Sequence, residues 1–184
     1  NILKKHNTPN IFVNCSYPRT KDWKFNTFNK VQFSSFKDNI EYQLISTSWI
    51  SYLTALSMKK NKIQGSVILI GSIYGFKAQD LNLYKGTKIN PNFTYPLIKG
   101  GLTNFNKQLA VFFAKDNIRI NTVAPGGVID KQDKIFINNY INKNPSNRMA
   151  EPNEIASVIL FLSSGDSSHI TAETITIDGG ISKI

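Results

Sequence analysis

The sequence predicts an α/β fold, a doubly wound open parallel sheet. Three observations predict it. Apolar runs too short for helices recur along the chain, among them Phe12-Val13, Val67-Ile68-Leu69-Ile70 and Thr174-Ile175-Thr176-Ile177. Longer segments of helical periodicity alternate with them, the pattern of strands joined by crossover helices. Three of the runs end in polar or glycine-bearing turns, Asn14-Cys15-Ser16, Gly71-Ser72 and Ala124-Pro125-Gly126-Gly127. Open parallel sheets bind ligands beyond the carboxyl ends of their strands, at turns of this kind.

The elements follow in order. Asn10-Ile11-Phe12-Val13-Asn14 reads as a short buried strand ending in a polar turn. Phe36 to Lys60 reads as a long helix, with Ile40, Leu44, Trp49, Leu53 and Leu56 near helical spacing. Gly65 opens Ser66 to Ile70, typical of a parallel strand buried on both faces. After an irregular stretch, Tyr95 to Ala114 is a second long amphipathic segment, with Asn117 as its stop. Ile118 to Val123 is a further strand, broken by Pro125-Gly126-Gly127. Glu151 to Ser163 reads as a helix with Glu151-Pro152 at its start. Thr174 to Ile177 is the last strand, closed by Asp178-Gly179-Gly180. This alternation implies right-handed crossovers.

Length and composition exclude several classes. At 184 residues the chain suits one domain, residues 1–184, that buries a core without disulfide or metal staples. Its lone cysteine, Cys15, excludes an intramolecular disulfide framework and suits a reducing cytoplasm. No apolar run approaches the roughly 20 residues of a membrane span, and Asn1 to Asn10 lacks the pattern of a signal peptide. The net charge of +10 invites a nucleic-acid reading, but 19 of the 22 basic residues are Lys and only Arg19, Arg119 and Arg148 are Arg, the residue suited to bidentate phosphate contacts. The surplus lies in residues 1–110, with 15 basic and 4 acidic residues, and its densest clusters are only Lys4-Lys5 and Lys59-Lys60-Asn61-Lys62. A solvated basic surface explains it, and no nucleic-acid partner is expected.

Tyr95-Pro96-Leu97-Ile98-Lys99 is the sharpest chemical signal. At i and i+4 the two side chains share a helix face. An ammonium beside a phenol favours phenolate and so lowers the tyrosine pKa, making Tyr95 a usable acid/base. Ser72, just past a strand, supplies a hydroxyl to orient the oxygen of a reacting carbonyl. Taken alone, a Tyr-x-x-x-Lys pair is weak and more often surface packing. Its position after a Ser-bearing strand end and before a strand ending in Pro-Gly is what gives it weight. Other candidates fall away. Gly71-Ser72-Ile73-Tyr74-Gly75 is not a nucleophile elbow, because its serine is second rather than third. His6 and His169 have no matching acid or Cys cluster, so no metal site is expected. Cys15 suits a small packed residue, and Tyr74 and Tyr84 suit packing or a substrate lip.

With Ser72, Tyr95, Lys99 and the Pro125-Gly126 turn in this order, the sequence resembles the short-chain dehydrogenases/reductases over essentially its whole length. Asn14-Cys15-Ser16 stands where that family has its Asn-Asn-Ala turn, and Ile70-Gly71-Ser72 matches the strand delivering its serine. Asn117 to Val128, with Arg119 and Asn121, resembles the strand and turn beside the nicotinamide. Arg148, Pro152, Glu154, Ile155 and Ala156 match its Arg-x-x-x-Pro-x-Glu-Ile-Ala segment, and Phe161-Leu162 with Asp178-Gly179-Gly180 its C-terminal signature. The resemblance implies a Rossmann-like fold, an NAD or NADP cofactor, and hydride transfer between nicotinamide and a carbonyl or alcohol. It implies Tyr95 as acid/base, Lys99 lowering its pKa and holding the nicotinamide ribose, Ser72 on the substrate oxygen, and Asn14, Pro125, Gly126 and Val128 lining the cofactor. A small-molecule substrate, a cytoplasmic setting and a homo-oligomer of the complete protein are implied as well.

Four departures from the family pattern matter. No Gly-rich turn follows a first strand, so the chain reads as an N-terminally incomplete dinucleotide-binding and catalytic domain. The absent first βαβαβ portion would be roughly 60 to 80 residues. With it goes the residue that separates NAD from NADP. Gln43 stands at the helix position of the family's catalytic Asn, and serves as well as an ordinary polar helix residue. Asp130 stands near the place of a Thr that contacts the nicotinamide amide, and Pro96 requires Tyr95 to begin its helix. Finally, Phe76 to Thr94 is a long insertion between Ser72 and Tyr95. Ser72-Ile73-Tyr74-Gly75 and Leu83-Tyr84-Lys85-Gly86-Thr87 resemble a bacterial subgroup linked to flagellin modification and surface-polysaccharide sugars, which implies a sugar or nucleotide-sugar substrate. The competing reading is a non-enzymatic relative kept as a structural or interaction subunit.

Overall fold

The computed structural model describes residues 7–184; Lys4, Lys5 and His6 lie outside them. Strands β1 (Ile11–Asn14), β2 (Gly65–Ile70), β3 (Ile118–Pro125) and β4 (Thr174–Ile177) form one parallel sheet in that order. Their carboxyl ends lie level, with Asn14 beside Leu69, Ile70 beside Val123 and Pro125 beside Ile177. The helices are α1 (Phe33–Asn39), α2 (Ser46–Lys60), α3 (Tyr95–Phe113), α4 (Lys134–Lys143) and α5 (Pro152–Ser163). A π-helical turn, Ile40–Ile45, joins α1 to α2 without a break.

Side-chain alternation along the strands makes two cores. Val67, Ile118 and Ile120 face α2 and α3, where they meet Ala55, Met58, Leu109 and Phe113. Ile68 and Val123 face the other way, onto Ile155 and Leu162 of α5. β2, buried from Gly65 through Leu69, bears out the expectation of a strand covered on both faces.

β1 is not the buried strand expected, since Ile11 is 47% exposed and the rest only half-buried at the end of the strand order. Three further points need correction. The crossovers are not all of one hand. The strand order advances one way throughout, yet α5 lies on the face opposite α2 and α3. The β3–β4 connection therefore has the opposite hand to the two before it, which puts it outside the usual right-handed rule. The first long helix begins at Phe33, earlier than Phe36, and the spacing Ile40, Leu44, Trp49 does not mark its inner face, since Trp49 is 60% exposed. The extra residue in the π turn rotates everything after it, so a 3.6-residue count carried across Ile40–Ile45 loses phase. The buried face consists instead of Gln43, Thr47, Ser51, Thr54, Ala55 and Met58. Ser51 and Thr54 satisfy their hydroxyls on the carbonyls of Thr47 and Ile50, four residues back. Third, α4 has no counterpart in the sequence pattern. Its sequence Lys-Ile-Phe-Ile-Asn-Asn-Tyr-Ile-Asn-Lys is rich in weak helix formers. What starts it is Asp133, whose carboxylate accepts from the N–H groups of Ile135 and Phe136.

Candidate functional site

Chemistry-bearing groups gather at the carboxyl end of the sheet. Just beyond β2, Ser72 begins a 3₁₀ turn, Ile73–Gly75, and its Oγ accepts from the Tyr74 N–H at 3.2 Å. Tyr95 is the first residue of α3, as Pro96 requires: the missing proline N–H falls where a helix has no partner for it. The Asn92 Oδ1 accepts from the N–H groups of both Thr94 and Tyr95 at 2.9 Å, fixing where the helix starts. One turn further, Lys99 is 7% exposed and donates its Nζ to the Ile70 carbonyl at 2.8 Å, with the ammonium 5.6 Å from the Tyr95 ring centroid.

Burial dominates the electrostatics. It pushes the Tyr95 phenol above its ordinary value, the nearby Ser72 hydroxyl opposing. It draws Lys99 down to about 8. The expectation that the ammonium lowers the phenol pKa is therefore not met: loss of hydration sets the direction of the shift.

Ser72, Tyr95, Lys99, Pro125, Gly126 and Val128 line one cleft of about 600 Å³, together with Cys15, Ser16 and Tyr17 from the turn after β1. Asn14 and Gln43 do not line it. The Asn14 Oδ1 accepts from both the backbone N–H and the hydroxyl of Ser16, so it shapes the turn rather than facing the cleft. Gln43 is buried in the π turn, with its Nε2 lacking a hydrogen-bond partner among the described residues. Asp130 lines the cleft edge, its N–H donating to Gln132 Oε1. A second cavity, about 670 Å³, opens around Arg119 and His169 at the opposite ends of the strands.

The turn after β3 is held from two sides. The Gly127 N–H donates to the buried Tyr140 hydroxyl at 2.7 Å. Gly126 lies so close to Asp178 that a Cβ on it would stand 2.8 Å from the Asp178 Cβ. Asp178 itself accepts from the N–H groups of Gly180 and Ser182. The segment before α5 is locked by Arg148, which donates to both Glu154 oxygens at 2.7 and 2.6 Å, while Glu154 completes the helix cap on Glu151.

Two aromatic residues were not singled out in the sequence. Tyr17 and Trp23 meet the Tyr95 ring edge-on at 6.0 and 6.3 Å, with Tyr74 at 6.4 Å. No local spacing signals this, because the loop after β1 reaches α3 only through the fold. The insertion between Ser72 and Tyr95 packs on α4, through Tyr84 and Phe136 at 5.4 Å and through Asn139 Nδ2, which donates to the Leu83 and Lys85 carbonyls.

A family model described as Enoyl-(Acyl carrier protein) reductase matches residues 1–182. The chain belongs to the short-chain dehydrogenase/reductase family of oxidoreductases. Within it, a short chain dehydrogenase from Leptospira borgpetersenii with bound NAD+ is 31% identical and superposes with a TM-score of 0.87, over 98% of this chain and 68% of that one. Post-translational flagellin modification protein A of Campylobacter coli is 29% identical over 97% of this chain and 69% of its own length. D-arabinitol 2-dehydrogenase (ribulose-forming) of Candida tropicalis is 32% identical over 74% of this chain and 48% of its own. The chain thus spans about half to two thirds of the lengths of these relatives. No helix among the described residues is long and apolar enough to cross a membrane.

Proposed function

We propose that this short-chain dehydrogenase/reductase moves hydride between NAD(P) and a carbonyl or alcohol of a sugar or nucleotide sugar in the cytoplasm. The single observation carrying this reading is the convergence of Ser72, Tyr95 and Lys99 on one cleft floored by the Pro125–Val128 turn. The cofactor fits what is present. Among the described residues one of the three Lys99 ammonium donors is taken, by the Ile70 carbonyl, which leaves donors for a ribose hydroxyl. The open turn at Pro125, Gly126 and Val128 offers backbone to the nicotinamide side, with Asn14 shaping the facing turn. The pyrophosphate is another matter: the sequence has no glycine before Gly65, so residues 1–64 contain no Gly-rich cradle for it.

The bound nicotinamide supplies the redox chemistry. Ser72 donates a hydrogen bond to the substrate oxygen, and Tyr95 gives that oxygen its proton in reduction or takes it in oxidation. Lys99, charged below about pH 8, stabilises the phenolate that remains. Gln43 lies outside the cleft lining, but its buried Nε2, without a partner among the described residues, gives it a free donor for a relay water in this reading. Support for the sugar class comes from the relative that forms ribulose. The Tyr17 and Trp23 rings add an apolar wall with polar tips beside Tyr95.

The test is turnover of NADH and NADPH by the purified protein, at full natural length, against ketoses, keto nucleotide sugars and simple ketones. Sugar-class turnover that disappears in Tyr95→Phe supports the reading; turnover of non-sugar carbonyls alone removes the substrate class. A protein that neither binds NAD(P) nor turns over any carbonyl sinks the enzyme reading. That outcome favours the alternative, a non-catalytic structural or interaction subunit.

A homo-oligomer belongs to the same reading. The groove between α2 and α3, about 770 Å³, is lined by Leu44, Ile45, Trp49, Tyr52, Phe105 and Phe112. Exposed apolar patches of this kind mark association surfaces. A second copy covering it predicts that Trp49→Glu lowers the sedimenting mass; a wild-type monomer at all concentrations removes the proposal.

A further inference from the structure

We infer that Asn92 is a positioning residue that sets Tyr95 and the aromatic wall of the site as one unit. Asn92 belongs to the insertion between Ser72 and Tyr95, and its two side-chain ends do different work. The Oδ1 accepts from the Thr94 and Tyr95 N–H groups, each at 2.9 Å, holding the first residue of α3 in place. The Nδ2 donates to the Trp23 carbonyl at 3.0 Å, reaching across to the loop after β1.

That loop carries both rings of the wall. Trp23 and Tyr17 stand edge-to-face at 5.8 Å, and both meet Tyr95. Its far side is already fixed to α1 by a polar network: Asn26 Nδ2 donates to Ser35 Oγ, Ser35 Oγ to Asp22 Oδ1, and Asn39 Nδ2 to Thr20 Oγ1. On the α3 side the ties are Asn92 to Trp23 and the neighbouring Phe93 N–H to the Asn26 carbonyl. Asn92 is thus the side chain through which the insertion, the helix start and the aromatic wall share one geometry. An amide is required for this, since it accepts at one end and donates at the other.

Two variants separate the two ends. Asn92→Asp keeps the acceptor for the helix start, where a carboxylate is favourable, and removes the donor to Trp23. Asn92→Ala removes both. In a Trp49→Phe background, Trp23 is the remaining tryptophan of the sequence, and its emission reads the loop directly without any turnover. Both variants should shift that emission to the red. In kinetics, Asn92→Asp should raise the KM for the carbonyl substrate about tenfold with kcat changed less than about threefold, while Asn92→Ala should lower kcat about tenfold as well. Unchanged Trp23 emission in both variants overturns the inference. So does an Asn92→Asp enzyme that loses kcat as fully as Asn92→Ala, for then the ends do not act separately. The kinetic arm rests on the proposed hydride transfer and the fluorescence arm does not. A wild-type protein without turnover, combined with the red shift, counts against the proposed function and leaves the Asn92 tether standing.

Discussion

Gly75 lies against the carbonyl of Lys99 so closely that a Cβ on it would stand 2.9 Å from that oxygen and 2.8 Å from the Thr103 hydroxyl. Both contacts are with α3, and Gly75 closes the 3₁₀ turn that Ser72 opens. The glycine therefore sets how near Ser72 comes to Tyr95. Gly75→Ala forces the turn off the helix, an overpacking that costs about 1–3 kcal/mol. Turnover should fall at least about tenfold, more than the loss of stability accounts for at assay temperature. A chemical melt beside steady-state kinetics checks both, and unchanged turnover would show that the Ser72–Tyr95 spacing is not critical.

Tyr95→Phe removes the proposed proton donor and little else, since the ring stays packed among Tyr17, Trp23 and Tyr74. Acid–base catalysis by a positioned side chain contributes about 10²–10⁴-fold, and kcat should drop by that order while the melting temperature holds. Nicotinamide absorbance is the readout. Activity near wild type would move the acid/base role elsewhere.

Much of the site was legible because its chemistry is local in sequence: Tyr95 and Lys99 are one helical turn apart, and Ser72 follows a strand too apolar to be misread. The strands were legible for the same reason. What escaped depends on distance or on small changes of phase. Tyr17 and Trp23 reach Tyr95 across a loop whose course is set by buried Asn and Ser side chains, which leave no periodic trace. The π turn moved Trp49 to the surface, and the opposite hand of the last crossover follows from packing on α5 rather than from strand spacing. The raised phenol of Tyr95 could not be read from the Lys99 neighbour alone, since burial decides it.

Lys99 gives a pH dependence whose sign follows from its direction of shift. Its amine is lowered from 10.5 to about 8 by burial. Between those values the unfolded chain holds the proton and the folded one has released it. Stability from this group therefore rises as pH increases from about 8 to 10.5, and below about 8 the folded state carries the full cost of a buried charge. The other lysines titrate too, so the measurement is a difference: unfolding free energy of the protein minus that of Lys99→Met, followed from pH 7 to 11. The difference should climb across the window. A flat difference would mean that Lys99 ionises as a solvent-exposed lysine does.

Tyr140 of α4 supports the turn that floors the same cleft, accepting the Gly127 N–H at 2.7 Å while the residue is 2% exposed. The fit is tight on the glycine side as well, because a Cβ on Gly127 would stand 2.8 Å from the Tyr140 ring. Tyr140→Phe keeps that ring contact and deletes the hydroxyl that accepts from Gly127 and also meets the Asn144 side chain. The Gly127 N–H is then left without a partner, a loss of about 1–3 kcal/mol in stability. The turn that is released floors the proposed nicotinamide position, so the KM for NAD(P)H should rise about tenfold, with the KM for the carbonyl substrate moving much less. Loss of stability with both KM values unchanged would confine Tyr140 to holding the fold. A rise in the carbonyl KM alone would instead place its influence on the lip formed by α4 and the Tyr84 turn.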